Sequence, residues 1–179
     1  MSVGRYPLDR NSRPIIQRGV TAFSVQTLVG NNTTVNLPIF NVVGAVEVLY
    51  IWGMVTVDIG VNHTAAYIRL NDQTAQANIT LNTGTTLSAI KAGSVIIKKG
   101  LATAAITKLD NAAGVVSEPT TLETMYNSPF VVVKKTGAKT DIEYVYTTTD
   151  TPTTGQITFN VGFNPLSTDG NLVPYADGL

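Results

Sequence analysis

Apolar and polar positions alternate with a period of two over most of this chain. The longest expression of the pattern is residues 45–60, AVEVLYIWGMVTVDIG. β-Branched and aromatic residues dominate it and leave a helix no polar face over most of its length, so it predicts a buried strand around which the rest is organised. Side chains alternate across a strand, which puts Val46, Val48, Tyr50 and Trp52 on one face and Glu47, Leu49 and Ile51 on the other. Both sides of this first half read as covered. After Gly53, Val55, Val57 and Ile59 alternate with Thr56 and Asp58, the pattern of a sheet with one wet face. A straight strand of this length would approach ~50 Å at ~3.3 Å per residue, so a bend or bulge is expected at Gly53.

The flanking chain repeats the period in shorter pieces. Residues 20–29, VTAFSVQTLV, read as a first strand in which Phe23 and Val25 alternate with Ser24 and Gln26, and GNNTT after it reads as a turn. Residues 34–43 predict a second strand, where Pro38 argues for an edge position or the start of a new segment. After a turn at 62–64, Ala66, Ile68 and Leu70 alternate with Ala65, Tyr67 and Arg69, and 78–82 repeats the pattern with Ile79 and Leu81 inside. The alanine-rich 101–109 fits a short helix or a strand; Thr103, Thr107 and the flanking glycines favour the strand. Residues 120–126, TTLETMY, read as a short helical turn, since Pro119 suits a helix start and Glu123 lies near it. Residues 130–134, 142–146 and 157–163 are successive strands joined by the polar turns KTGAKT and TTTDTPTTGQ.

Strands at regular spacing with threonine-rich connections predict an all-β fold, an antiparallel β-sandwich of jelly-roll-like form with extended N- and C-terminal arms. The expected divisions are an N-terminal arm at 1–18, a sandwich domain at 19–165 and a C-terminal tail at 166–179, the last with too many Gly and Pro residues for a strand of any length.

Composition adds a tendency to associate. A chain of 179 residues suffices for one core. Charged residues make up 13% and the formal net charge is zero, against a usual charged share of about 25%. Such a surface is poorly protected against association, so a homo-oligomer is expected, a trimer foremost, covering the double-sided apolar half of the central strand. The pairs Lys98–Lys99 and Lys134–Lys135 are too sparse for a nucleic-acid surface and read as charges that blunt strand ends. Cysteine is absent, which removes disulfides, thiolate metal sites and thiol nucleophiles together. The opening MSVGRYPLDRNSRP is followed by no apolar core of signal-peptide length, so synthesis in a cytosol is expected. Residues 45–59 fall short of the ~20 that a membrane helix needs, and no membrane partner is expected.

Candidate chemistry is sparse. A Ser-His-Asp arrangement would need His63, the only histidine, which lies in the turn-like VNHTA, and a zinc site there would lack a second nitrogen or sulfur. Glu47 and Asp58 are too far apart along one strand for shared acid–base work. Asp72, Asp110, Asp150 and Asp169 adjoin turn residues, where a carboxylate accepts bonds from nearby N–H groups, and no D-x-D-x-D-G calcium loop is present. No enzyme, cofactor or metal site is expected. Tyr50 and Trp52 could stack on a sugar, but on a strand covered on both sides they read as core or interface. Arg5, Arg10, Arg13 and Arg18 stand against Asp9 alone, with Pro7 and Pro14 discouraging helix; this reads as an extended arm that docks on a neighbour, or as a disordered terminus.

The run VEVLYIWGMVTVDIG, the strand ITFNVGFNPL with the glycine turn STDGN after it, the cysteine-free Thr/Ala/Val/Gly-rich composition and the extended termini resemble small virion proteins of tailed bacteriophages, in particular head decoration and other capsid-associated proteins. The resemblance spans roughly half the chain and carries over no functional residue. It implies a β-sandwich that assembles, often as a trimer, on a capsid or within a tail. Its partners would be further copies of itself and the major capsid protein or other virion proteins, and it would be made in the host cytoplasm and located in the virion. The alternative is a tail or head-fibre component acting as a receptor- or glycan-binding β module, with an enzyme a distant third.

Overall fold

The 45–60 stretch folds as the central strand of a six-stranded sheet, β3 (Ala45–Val57), in a computed structural model that describes residues 20–30, 32–60, 63–81, 87, 89–98, 104–109, 129–149 and 154–176. The other strands are β1 (Val20–Thr27), β2 (Thr34–Val43), β4 (His63–Asn71), β5 (Gln76–Asn78), β6 (Val95–Lys98), β7 (Ile106–Leu109), β8 (Phe130–Val133), β9 (Asp141–Thr148), β10 (Gln156–Pro165) and β11 (Asn171–Pro174). The described residues contain no helix. One sheet runs β1-β10-β3-β6-β7, with β8 pairing to the start of β3; the second runs β11-β2-β9-β4-β5. Every strand pairing is antiparallel. The all-β antiparallel sandwich is therefore the observed architecture. The pairings β1·β10, β2·β9, β3·β8 and β4·β5 nest inside one another, so the first half of the chain folds back on the second, with the chain alternating between sheets over β1–β4 and again over β8–β11.

Alternation builds the core. Phe159, Val161 and Phe163 of β10, with Val46, Val48, Ile51 and Val55 of β3, face Phe40 and Val42 of β2 and Ile142, Tyr144 and Tyr146 of β9, all of them buried. Tyr144 and Phe159 meet across the two sheets with ring centroids 5.1 Å apart. Each such ring contributes roughly 150–250 Å² of buried area, which explains how a cysteine-free chain holds two sheets together.

The irregularity expected at Gly53 lies elsewhere. Pairing is regular through Trp52↔Asn160, Gly53↔Phe159 and Met54↔Thr158; the register shifts come between Gly162 and Phe163, which leaves Leu49 as the extra residue, and between Gln156 and Ile157, opposite Thr56. The bulge at Leu49 rotates the strand, so Val46 and Val48 share the inner face with Ile51 and Val55, while Tyr50 and Trp52 turn outward. Gly53 is instead a packing glycine: a Cβ there would lie 2.7 Å from Ile157 Cγ2 and 3.0 Å from Ile96 Cγ1. Gly53→Ala is expected to cost about 1–3 kcal/mol by overpacking, seen as a lower urea midpoint at unchanged slope. An unchanged midpoint would show that Ile157 and Ile96 give way.

Pro38 lies opposite Glu143 of β9, beyond the reach of β11, which pairs β2 only from Phe40 to Val43; the proline thus sits at a local edge, beside the register shift between Pro38 and Phe40. Other expectations change with the register. His63 opens β4 and is fully buried, where a turn was expected. Leu81, expected inside, is exposed and makes an isolated bridge to Ala105. The expected tail supplies β11, which pairs with β2 and buries Leu172. Turn residues Ser167 and Gly170 anchor its entry, with Leu166 and Ser167 both donating N–H to the Ala45 carbonyl. The 120–126 helical turn and the 1–18 arm lie outside the described residues.

Candidate functional site

The outer face of the first sheet is where the interface candidates gather. Because Ser24, Phe159, Ile51, Gly53 and Ile96 point inward, their strand neighbours point outward in register. One row reads Phe23, Asn160, Trp52, Ile97, Thr107, and the next reads Val25, Thr158, Met54, Val95, Leu109. None of these residues is charged. Tyr50 lies beside them, its ring over Gly162, where any Cβ would collide with it. Tyr50, Trp52, Met54, Val95, Ile97 and Leu109 line a hollow of about 500 Å³. Phe23 and Met54 are 59% and 39% exposed, which leaves large apolar side chains open on this face.

Tyr50 and Trp52 are thus brought together as sequence reasoning paired them, but on an outer wall. Phe23, Val25, Met54, Val95, Ile97 and Leu109 were missed as partners. Their joining depends on the register between β1, β10, β3, β6 and β7, which no local pattern reports. Arg5, Arg10, Arg13 and Arg18 lie outside the described residues.

The second sheet has an opposite outer face, polar and closed on itself. Glu143 is 4% exposed and accepts from Arg69 Nε at 2.8 Å and from Asn71 Nδ2 at 2.9 Å, while Arg69 Nη1 donates to Gln76 Oε1 at 2.8 Å. Asp141 accepts from Tyr175 Oη at 2.8 Å and from Asn41 Nδ2 at 3.0 Å, with Lys139 Nζ 3.6 Å away. Both carboxylates are occupied by internal partners.

The remaining sequence candidates have structural partners. His63 is stacked on Tyr146 at 4.5 Å and near Tyr144 at 5.9 Å, with its Nε2 2.9 Å from the Tyr144 hydroxyl. Burial lowers its pKa to about 4 and pushes the Tyr144 hydroxyl well above the usual phenol range. His63 Nδ1 has no hydrogen-bond partner among the described residues. Asp72 accepts from the N–H groups of Ala75 and Thr74, which hold its carboxyl far below the ordinary value, and Lys135 sits 3.4 Å away. Lys91 beside Asp58 lowers the Asp58 pKa, and the Ala92 N–H adds to it. Glu47 accepts from Asn164 Nδ2 at 3.0 Å. Lys98, expected to blunt a strand end, is 5% exposed and lies over the Phe130 ring at 5.3 Å, a burial that lowers its pKa. No cluster of metal-ligating side chains occurs among the described residues.

No protein family, no curated protein and no solved structure matches this chain. Function is therefore argued from the two outer faces. On one, the carboxylates Asp141 and Glu143 are held by internal partners, and the other presents uncharged apolar area.

Proposed function

We propose that this chain is a non-enzymatic structural protein of a phage particle, a homo-oligomeric β-sandwich that decorates or stabilises the capsid. The observation that carries the reading is the uncharged outer face built from Phe23, Val25, Trp52, Met54, Val95 and Ile97. An apolar face of this kind on a chain of low charge content is costly to expose to water and is stabilised by cover from another protein surface. The nested strand pairings support reading the sandwich as a jelly roll, an architecture shared by capsid and lectin domains.

In this reading residues 1–18 are the contact arm. Arg5, Arg10, Arg13 and Arg18 suit carboxylates of a neighbouring subunit. Several arms of one oligomer then act together, so modest contacts sum to firm attachment. Deleting residues 1–18 is expected to leave the β-sheet circular dichroism intact and to abolish incorporation into particles, quantified by mass spectrometry of purified virions. Full occupancy by the truncated protein would remove the arm as anchor. Absence of the intact chain from the particles would remove the virion reading itself.

The Tyr50–Trp52 hollow favours a second reading, a glycan-binding β module, because the two aromatic rings that line it can stack on a sugar. Binding in a glycan array that Trp52→Ala removes would select it.

A further inference from the structure

We infer that β1 pairs edge to edge and antiparallel with β1 of a second copy of this chain. The inference rests on the self-association proposed above and names its contact. β1 is the outermost strand of its sheet: one side is in register with β10 from Val20↔Phe163 to Thr27↔Gln156 without a break, and no described strand pairs with the other side. Exposed edges are ordinarily blunted by shortness, charge, proline or a bulge. The other outer strands have such devices. β5 is three residues long, β7 is four and carries Lys108, β8 is four and pairs only with β3, and β11 is four and ends on Pro174. β1 has eight residues, VTAFSVQT, with neither charge nor proline and no shift in register.

The polarity of β1 is also inverted. Ser24 and Gln26 are buried at 1% and 2% exposure, because the Ser24 hydroxyl and the Gln26 amide donate to the Tyr175 carbonyl at 3.0 and 3.2 Å. Their neighbours Phe23 and Val25 consequently face out, 59% and 40% exposed, at the margin of the uncharged face. A second β1 added by a two-fold axis would set Phe23 and Val25 beside the same side chains of the other copy, at Cβ separations of about 4.5–5.5 Å for directly opposed pairs. It would also join the two apolar faces into one.

Charge selects the second copy over the arginine-rich arm. Beside β1 lies a hollow of about 440 Å³ whose lining includes Phe23, Phe163, Leu172, Val173 and Pro174, with no acidic residue among its walls. Arginines would find no counter-charge there, whereas an uncharged strand from a chain of zero net charge meets no repulsion.

The contact is isologous, so it generates species of even number, a dimer or two trimers joined as a hexamer. The full-length chain is expected to show such a mass by light scattering at micromolar concentration. Phe23→Lys and Val25→Lys, both at exposed positions, are expected to halve that mass with unchanged circular dichroism. Because the chain has no cysteine, single cysteines at Thr21, Phe23 and Val25 report the register. At least one is expected to give a disulfide-linked dimer on oxidation, while Leu166→Cys, 55% exposed and off this edge, gives none. A monomer, a closed trimer as the sole oligomer, lysine variants of unchanged mass, or cross-linking no greater than that of Leu166→Cys would each overturn the inference. Loss of the oligomer on deleting residues 1–18, with both lysine variants intact, would assign the edge to the arm. Loss in Met54→Lys alone would move the contact to the open face, leaving self-association standing and edge pairing refuted.

Discussion

Glu143→Ala is expected to lose about 3–5 kcal/mol of folding free energy, because it strands the Arg69 guanidinium in a site that water scarcely reaches. The two side chains are 8% and 6% exposed and bonded at 2.8 Å, and Glu143 also holds Asn71. Removing the carboxylate leaves a buried cation with Gln76 as its remaining partner among the described residues. Replacing both members, Arg69→Met with Glu143→Leu, is expected to cost far less, since the desolvation of both charges disappears along with their attraction. Urea titrations of the single and double variants provide the check. A single variant within about 1 kcal/mol of the parent would show that solvent reaches Arg69 after all.

Acid is expected to remove about 3 kcal/mol between pH 6.5 and 4 through His63 alone. Its pKa lies at about 4 in the folded chain against 6.5 for an unburied histidine. Above pH 6.5 the ring is neutral in both states and contributes no pH dependence. Between the two values the unfolded chain takes up a proton that the folded chain refuses, so stability falls as pH falls, and the loss levels off below the folded value. Asp58 and Asp72 act lower. Their folded pKa values are depressed from 3.8, so the stability they contribute is present above that value and is lost as pH drops below it. Urea midpoints at pH 7, 5.5 and 4.5 follow the histidine range, above the range in which the two carboxylates act. In His63→Phe the pH 4.5–7 slope should flatten, although this variant also leaves the Tyr144 hydroxyl without its partner and starts lower by about 1–3 kcal/mol. Parallel curves for parent and variant would mean that His63 is not the titrating group.

The sequence by itself determined the fold class and the places of most strands. Residues 34–43 were legible as a strand with an interruption at Pro38, where the register shifts, and the alternations at 142–146 and 157–163 became β9 and β10. These signals are local. Period-two patterning, β-branched residues and turn chemistry act within a few residues, so they need no knowledge of partners. Tyr50 and Trp52 were legible as neighbours on one face of a strand for the same reason, but the cover expected over both faces is absent among the described residues and the two rings line an open hollow.

Tertiary structure alone decided which side faces in for β1 and for the second half of β3, whereas in β9 and β10 the apolar side of the pattern faces the core. In β1 the polar residues are inside because their hydrogen-bond acceptor is the carbonyl of Tyr175, some 150 positions away in the chain. In β3 a single extra residue at Leu49, set by the register against Gly162 and Phe163, puts Val48 inside and Tyr50 outside. His63 reads as a turn residue until Tyr144 and Tyr146 are placed beside it. The apolar outer face exists only once five strands far apart in sequence are aligned. A shift of one residue exchanges the two faces of a strand, and the pairing that sets the shift is a property of the partner strand.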